Sequence, residues 1–173
     1  MKRIGILSDT HSSLHKGIYK FLKECDEIWH IGDIGNIEII KLLSEISPIV
    51  AVYGNIDGGE IKNIYKEWEV FHCENVKVLM THIGGYPKRY DRKAEKRIRI
   101  YTPQLFISGH SHILKVMYDD KYNCLHINPG ASGKTGFHKK VTAIRLTIDN
   151  KDMKDLEVFE APRSGSDYYD FSF

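Results

Sequence analysis

The sequence predicts an α/β fold. Three observations carry that reading. Short apolar runs at residues 4–7, 27–32 and 49–53 have the length and composition of buried strands. Segments with apolar residues at helical spacing lie between them, giving the order β-α-β-α-β of a parallel sheet with crossover helices. Several apolar runs end directly in Asp, His or Asn, beyond the carboxyl end of a strand, where open α/β sheets bind ligands. The 173 residues suit one domain, with a core large enough to need no staples.

The bulk numbers exclude more than they select. A net charge of +2, from 25 basic and 23 acidic residues, gives no nucleic-acid or membrane signal. Three widely spaced cysteines, Cys25, Cys73 and Cys124, form no CxxC pair, which fits a reducing cytoplasm better than a disulfide framework. Met1-Lys2-Arg3-Ile4 leads straight into an apolar run that soon meets Asp9, unlike a signal peptide. No apolar run approaches the ~20 residues of a membrane span.

The first run, 4–7, ends in Ser8-Asp9-Thr10-His11. In an extended segment Asp9 and His11 face the same way and could share an ion; in a turn, Asp9 would only cap the next helix. That helix is expected from about Ser13 through Leu14, Ile18, Phe21 and Leu22, with Ser12 or Ser13 as its cap and His15 on the surface. The strand at 27–32 delivers Gly32-Asp33 to the sheet rim, and His30 within it reads as a packed core histidine. Residues 36–46 read as a helix capped by Asn36 and closed before Pro48. The third run ends in Gly54-Asn55-Ile56-Asp57, which serves a turn as readily as a site.

Two further strands, 68–71 and 76–80, are joined through Cys73-Glu74-Asn75, and the second ends at His82. Residues 88–99 read as a basic helix. It is either a solvated face with pairs such as Glu95 and Arg99 or a collar for an anionic substrate. A short strand at 105–107 ends in Gly109-His110-Ser111-His112, two histidines able to reach neighbouring ions. A hairpin from 115–118 to 124–127, a turn at Asn128-Pro129-Gly130 and a final antiparallel pair, 141–148 with 155–159, complete one domain over 1–160. The tail, 161–173, reads as loose, with an aromatic end that could dock on the body or on a partner.

Asp9, His11, Asp33, Asn55, His82, His110 and His112 are the candidate ligands. They offer carboxylate, amide oxygen and imidazole without thiolate, which suits Mn first, with Fe, Zn, Ni or Co as alternatives. Seven exceed what one ion takes. Two ions sharing Asp33, roughly 3.5–4 Å apart, could each bind a phosphate oxygen and generate hydroxide at neutral pH.

As an ordered set, Asp9-x-His11, Gly32-Asp33, Gly54-Asn55-x-Asp57, His82 and Gly109-His110-Ser111-His112 resemble the calcineurin-like metallophosphoesterases. Asn128-Pro129-Gly130-Ala131-Ser132 and the small size resemble their short single-domain phosphodiesterase branch. The resemblance implies a four-layer αββα sandwich, two mixed sheets flanked by helices. It implies Asp9, His11, Asp33 and His112 around one ion and Asp33, Asn55, His82 and His110 around the other. It further implies a dinuclear phosphodiesterase using metal-bound hydroxide in line on phosphorus, with Asp33, Asn55, Asp57 and His82 as the catalytic group. Its substrate would be a phosphate ester, a small molecule or nucleotide-like diester, and a homo-oligomer is compatible with it. One position departs: Ile56 stands where many of the wider family carry a histidine that assists phosphate binding or the leaving group. A retromer scaffold that shares this fold, and is regarded as having a degraded metal site, supplies the alternative of a non-catalytic binding module.

Overall fold

The computed structural model describes residues 1–173. The chain opens with β1 (Lys2–Leu7), β2 (Ser13–His15), α1 (Lys16–Leu22), β3 (Glu27–His30), α2 (Glu38–Ser44), β4 (Ile49–Ala51) and α3 (Gly59–Ile64). It continues through β5 (Trp68–Cys73), β6 (Val76–Thr81), β7 (Gly85–Tyr86), β8 (Arg89–Tyr90), α4 (Arg92–Tyr101) and β9 (Leu105–Ile107). The last third holds β10 (Leu114–Asp119), β11 (Cys124–Pro129), β12 (Lys140–Asp149), β13 (Asp152–Pro162) and β14 (Tyr168–Asp170).

Two five-stranded mixed sheets form the middle of the molecule, in the orders β13-β12-β1-β3-β4 and β10-β11-β9-β6-β5. In the first, β1, β3 and β4 run parallel, and β12 pairs antiparallel with β1. In the second, β6, β9 and β11 run parallel, and both edges are antiparallel hairpins. The period-two alternation of the strands sorts their side chains between two cores. Ile4, Ile6 and Trp29 of the first sheet meet Val78, Met80, Leu105 and Ile107 of the second. On the first sheet's outer face, Leu7, Ile28 and Ala143 pack beneath Ile18 and Leu22 of α1, Ile39 and Leu43 of α2 and Ile61 of α3. On the second sheet's outer face, Leu79, Phe106 and Cys124 pack beneath Ala94 and Ile98 of α4. The result is the four-layer α/β/β/α sandwich. No helix is long and apolar enough to cross a membrane.

Several local expectations are corrected. The helix expected from Ser13 begins at Lys16, because residues 13–15 form β2, paired antiparallel with β14. A distant segment supplies that strand partner, which local spacing cannot reveal. His15 is half-buried against Phe159 and Tyr168, and its Nδ1 caps α1 by accepting from the Gly17 amide at 3.1 Å. The tail is therefore a docked strand, not a loose end. The basic helix starts at Arg92, four residues later than expected, behind the β7–β8 hairpin and under an Asp91 cap to Lys93 and Ala94. Asn128 and Pro129 end β11, and the turn falls at Gly130. The six-residue α3, with only Ile61 buried, goes unpredicted. Asn36 caps α2 as expected, Oδ1 accepting from Glu38 N at 3.0 Å.

Trp29 joins the two sheets. It is fully buried, meets Phe71 edge-on at 5.1 Å and donates its indole N–H to Glu27 at 2.6 Å. Trp29→Ala should cost about 3–5 kcal/mol of stability, read as a fall in urea midpoint; a loss under about 1 kcal/mol would mean that the inter-sheet core does not depend on this contact.

Candidate metal centre

The loops after β1, β3, β4, β6 and β9 converge at one end of the two sheets. They bring together all seven residues expected to ligate metal. Two groups of ligand atoms emerge, each within 4.8 Å: Asp9, His11 and His112, and Asp33, His82 and His110. Asp33 Oδ2 lies between them, 3.4 Å from His11 Nε2 and 3.2 Å from His82 Nε2. His112 Nε2 is 3.2 Å from Asp9 Oδ1, and Asn55 Oδ1 is 3.0 Å from His110 Nδ1. Donors bound at about 2.1 Å to one ion stand about 3.0–3.4 Å apart, so these spacings would let the groups share an ion.

The backbone that achieves this is not the extended segment in which Asp9 and His11 would face the same way, but a turn. Asp9, His11, Asp33, His110 and His112 have φ of 54°, 45°, 51°, 68° and 61°, in the left-handed region. Such conformations cost of order 1 kcal/mol each for side-chain-bearing residues and persist only where surroundings enforce them. Here Asp9 N donates to Gly32 O at 3.0 Å, His11 N to Asp33 O at 3.0 Å and Gly109 N to His82 O at 2.9 Å. Gly109 is required by close approach, since a Cβ there would lie 2.3 Å from Ser8 Oγ.

Asp9, Asp33 and His82 each have one side-chain atom engaged by the fold and the other turned to the site. Asp9 Oδ2 accepts from Ser8 Oγ at 2.7 Å and the His110 amide at 3.1 Å. Asp33 Oδ1 accepts from the Ile56 amide at 3.0 Å. His82 Nδ1 donates to Ile31 O at 2.7 Å, which turns Nε2 toward the two carboxylates. Asp9 Oδ1, His11 Nε2 and His82 Nε2 are buried and have no hydrogen-bond partner. Burial would raise the Asp9 carboxyl, but the adjacent His11 and His112 rings, the field of His82 and the Ser8 hydroxyl outweigh it and hold it well below the usual range. Asp33 is lowered in the same way, burial being overcome chiefly by His82. His11 is raised, first by the neighbouring Asp9 carboxylate. Burial pulls His82 down, yet Asp33 and Asp9 raise it on balance.

Asp57, expected among the catalytic group, sits behind Asn55 with its oxygens turned to the backbone. It is buried, and its carboxylate accepts from Gly54 N at 2.7 Å and Gly35 N at 2.8 Å. It ties the loop after β3 to the loop after β4. Ile56 is half-exposed beside Asn55. His30 is a core residue, donating to Thr10 Oγ1 at 3.0 Å and accepting from Gly32 N. The basic stretch divides: Lys93 and Arg97 join Lys62, Asn55 and His82 around a cleft of about 250 Å³, while Arg99 pairs with Glu95 at 3.3 Å. Three supporting residues escaped the sequence reading. Ser8 orients Asp9, Asn128 Nδ2 donates to Gly109 O at 2.9 Å and Ser111 Oγ at 3.0 Å, and His138 contacts His112. Ser8 stands beside the more telling Asp9, Asn128 reads as a turn residue, and His138 follows no apolar run.

A model of the calcineurin-like phosphoesterase superfamily domain matches residues 1–151. Over 137 residues the chain is 30% identical to a Methanocaldococcus jannaschii protein named a probable metallophosphoesterase, covering 74% of this chain and 67% of that one. Among solved structures it is similar to wild-type Vps29 of Entamoeba histolytica complexed with zinc, at TM-score 0.72 and 17% identity over 94% of this chain and 99% of that one. It is also similar to Vps29 of Chaetomium thermophilum, at TM-score 0.74 and 10% identity over 98% and 99% of the two chains.

The raised histidines give a pH dependence. Groups whose folded pKa exceeds the unfolded one stabilise the protein fully below about 6.5, the ordinary histidine value, and lose that contribution as pH rises through the folded value. Chelator-treated protein should therefore melt at progressively lower temperature as pH climbs above that value, and added Mn²⁺, replacing the protons, should reverse the loss. Melting curves stepped in pH, with and without metal, test this; a metal-free midpoint that rises across the same window would contradict it.

Proposed function

The chain belongs to the calcineurin-like phosphoesterase superfamily, and from that premise we propose that it is a metal-dependent phosphodiesterase built on a dinuclear centre. The observation that carries this reading is the set of buried, partnerless atoms Asp9 Oδ1, His11 Nε2 and His82 Nε2. Ser47 Oγ, Arg145 Nε and the two His126 ring nitrogens also lack partners, but three such atoms from separate loops converge only here, and a cation would satisfy all three. Asp9, His11 and His112 would hold one ion and His82, His110 and Asn55 the other, with Asp33 Oδ2 shared. When bound there, two divalent ions, Mn²⁺ first, would polarise phosphoryl oxygens and lower the pKa of an intervening water.

The chain's own residues supply binding and selection. Asn55 is exposed at the mouth of the site, where its amide can meet a phosphate oxygen. Lys62, Lys93 and Arg97 give the adjoining cleft a basic wall that attracts an anion and can accept the second arm of a diester, nucleotide-like in size. Arg97 is steadied by stacking on Trp68 at 4.7 Å and by Glu67 at 3.7 Å. Nothing at position 56 can protonate a leaving group, and both Asp57 oxygens are taken by amides. General-acid help, typically worth ~10²–10⁴-fold, is thus missing, and esters with good leaving groups are favoured.

The exposed row Ile113, Val116, Met117 and Tyr118 on and beside the edge strand β10 favours a second reading, a protein-binding scaffold of the same fold. The two separate in one assay. Chelator-stripped protein given Mn²⁺ should hydrolyse a nitrophenyl phosphodiester faster than the nitrophenyl monoester. Asp33→Asn should lower the rate by more than about 10²-fold, the several kcal/mol of charge stabilisation that a correctly held metal pair provides. Faster cleavage of the monoester would overturn the diester preference, and inactivity of folded protein with every metal tried would favour the scaffold.

A further inference from the structure

We infer that His138 is a positioning residue of the metal centre, holding the ring of His112 in the one tautomer and orientation that leaves Nε2 free to ligate. The inference rests on the metal-centre reading above and concerns a residue outside the seven ligands.

Proton accounting along the chain of contacts carries it. His138 Nε2 lies 2.8 Å from Gly133 O, and a carbonyl only accepts, so Nε2 carries the proton and donates. Neutral His138 then has a bare Nδ1. That atom is 3.2 Å from His112 Nδ1, and two lone pairs cannot face each other at hydrogen-bond distance, so His112 Nδ1 carries a proton and donates to it. His112 Nε2 is left with its lone pair, 3.2 Å from Asp9 Oδ1. An imidazole lone pair beside a carboxylate oxygen is an arrangement that a cation between them stabilises. Ligating histidines usually give their second N–H to a carboxylate, a carbonyl or water. His82 follows that rule through Ile31 O, whereas His112 uses another histidine.

The surrounding loop is shaped for this contact. Gly136, at φ +134°, lies against both rings; a Cβ there would stand 2.4 Å from His112 Nδ1 and 2.9 Å from His138 Nδ1. The rings meet edge to face with centroids 5.0 Å apart. Arg163 fixes the loop from outside, donating through Nε to His138 O at 2.6 Å and through a terminal nitrogen to Lys134 O at 2.9 Å. Lys134 N donates to Ser13 Oγ at 3.0 Å, and its ammonium pairs with Asp170 of β14.

The test is Mn²⁺ titration by calorimetry on wild type, His138→Ala and His138→Gln, with a melting curve for each. The Gln amide can accept from His112 and donate to Gly133, so it keeps the relay and guards against a folding defect. His138→Ala should weaken one of the two Mn²⁺ sites about 10- to 100-fold and spare the other, and His138→Gln should recover much of the loss. In long-range ¹H–¹⁵N spectra of the zinc-loaded protein, the His112 Nδ1 proton should exchange slowly in wild type and rapidly in His138→Ala. Unchanged affinity at both sites in folded His138→Ala, an equal loss at both, or zinc on His112 Nδ1 would overturn the relay. Wild type that binds no metal at all would overturn the metal-centre reading with it.

Discussion

The carboxylate of Asp9 is divided between two tasks, and the arrangement of both sheets depends on it. One oxygen is fastened by the Ser8 hydroxyl and the His110 amide; the other is bare and buried. Ser8 and Asp9 follow β1 of the first sheet, and His110 follows β9 of the second. The bond between them crosses the seam of the sandwich at the end where the parallel strands stop. Stacking two sheets face to face is a hydrophobic problem, solved by Trp29, Ile4, Ile6 and their partners. Fixing the slide of one sheet over the other to a fraction of an ångström needs directional contacts. Asp9 to His110 and His82 to Ile31 provide them.

The centre is costly to fold. Five ligand residues sit in left-handed backbone, and three ligand atoms are desolvated without partners. Each feature is worth on the order of 1–3 kcal/mol against the native state. The cost is borne by the apolar layers on either side and, in the proposed function, by metal. This division separates rigidity from reactivity. The apolar layers supply the bulk of the packing, and the loops would not hold their shape without them.

The same division explains what could be read from the sequence. Strand runs at 4–7, 105–107 and 141–148 show in composition because burial on one or two faces dictates it. The seven ligand positions show because each interrupts such a run at its end. The left-handed turns do not show, since Asp and His carry no mark of φ as glycine does. The β2 strand was hidden because its partner, Tyr168–Asp170, lies at the other end of the chain, and Leu14 and Ile18 fit a helix equally well. His138 was hidden because a loop histidine among glycines has no period at all. Asp57 was placed by analogy with its neighbours in the motif, and only the geometry of Gly35 and Gly54 amides reveals that its oxygens are taken.

The antiparallel pairing of β1 with β12 bears on synthesis. A ribosome releases β1, β3 and β4 early, but β12 comes only after the whole second sheet. Until then β1 presents an open edge in an emerging half-domain, with its apolar inner face uncovered. The loop bearing His11 and Ser12 waits longer still, because Phe171 N donates to Ser12 O and Asn36 Nδ2 donates to Phe171 O. A nascent chain therefore keeps this edge and face uncovered until residues 140–149 are made, the kind of surface that chaperones shield.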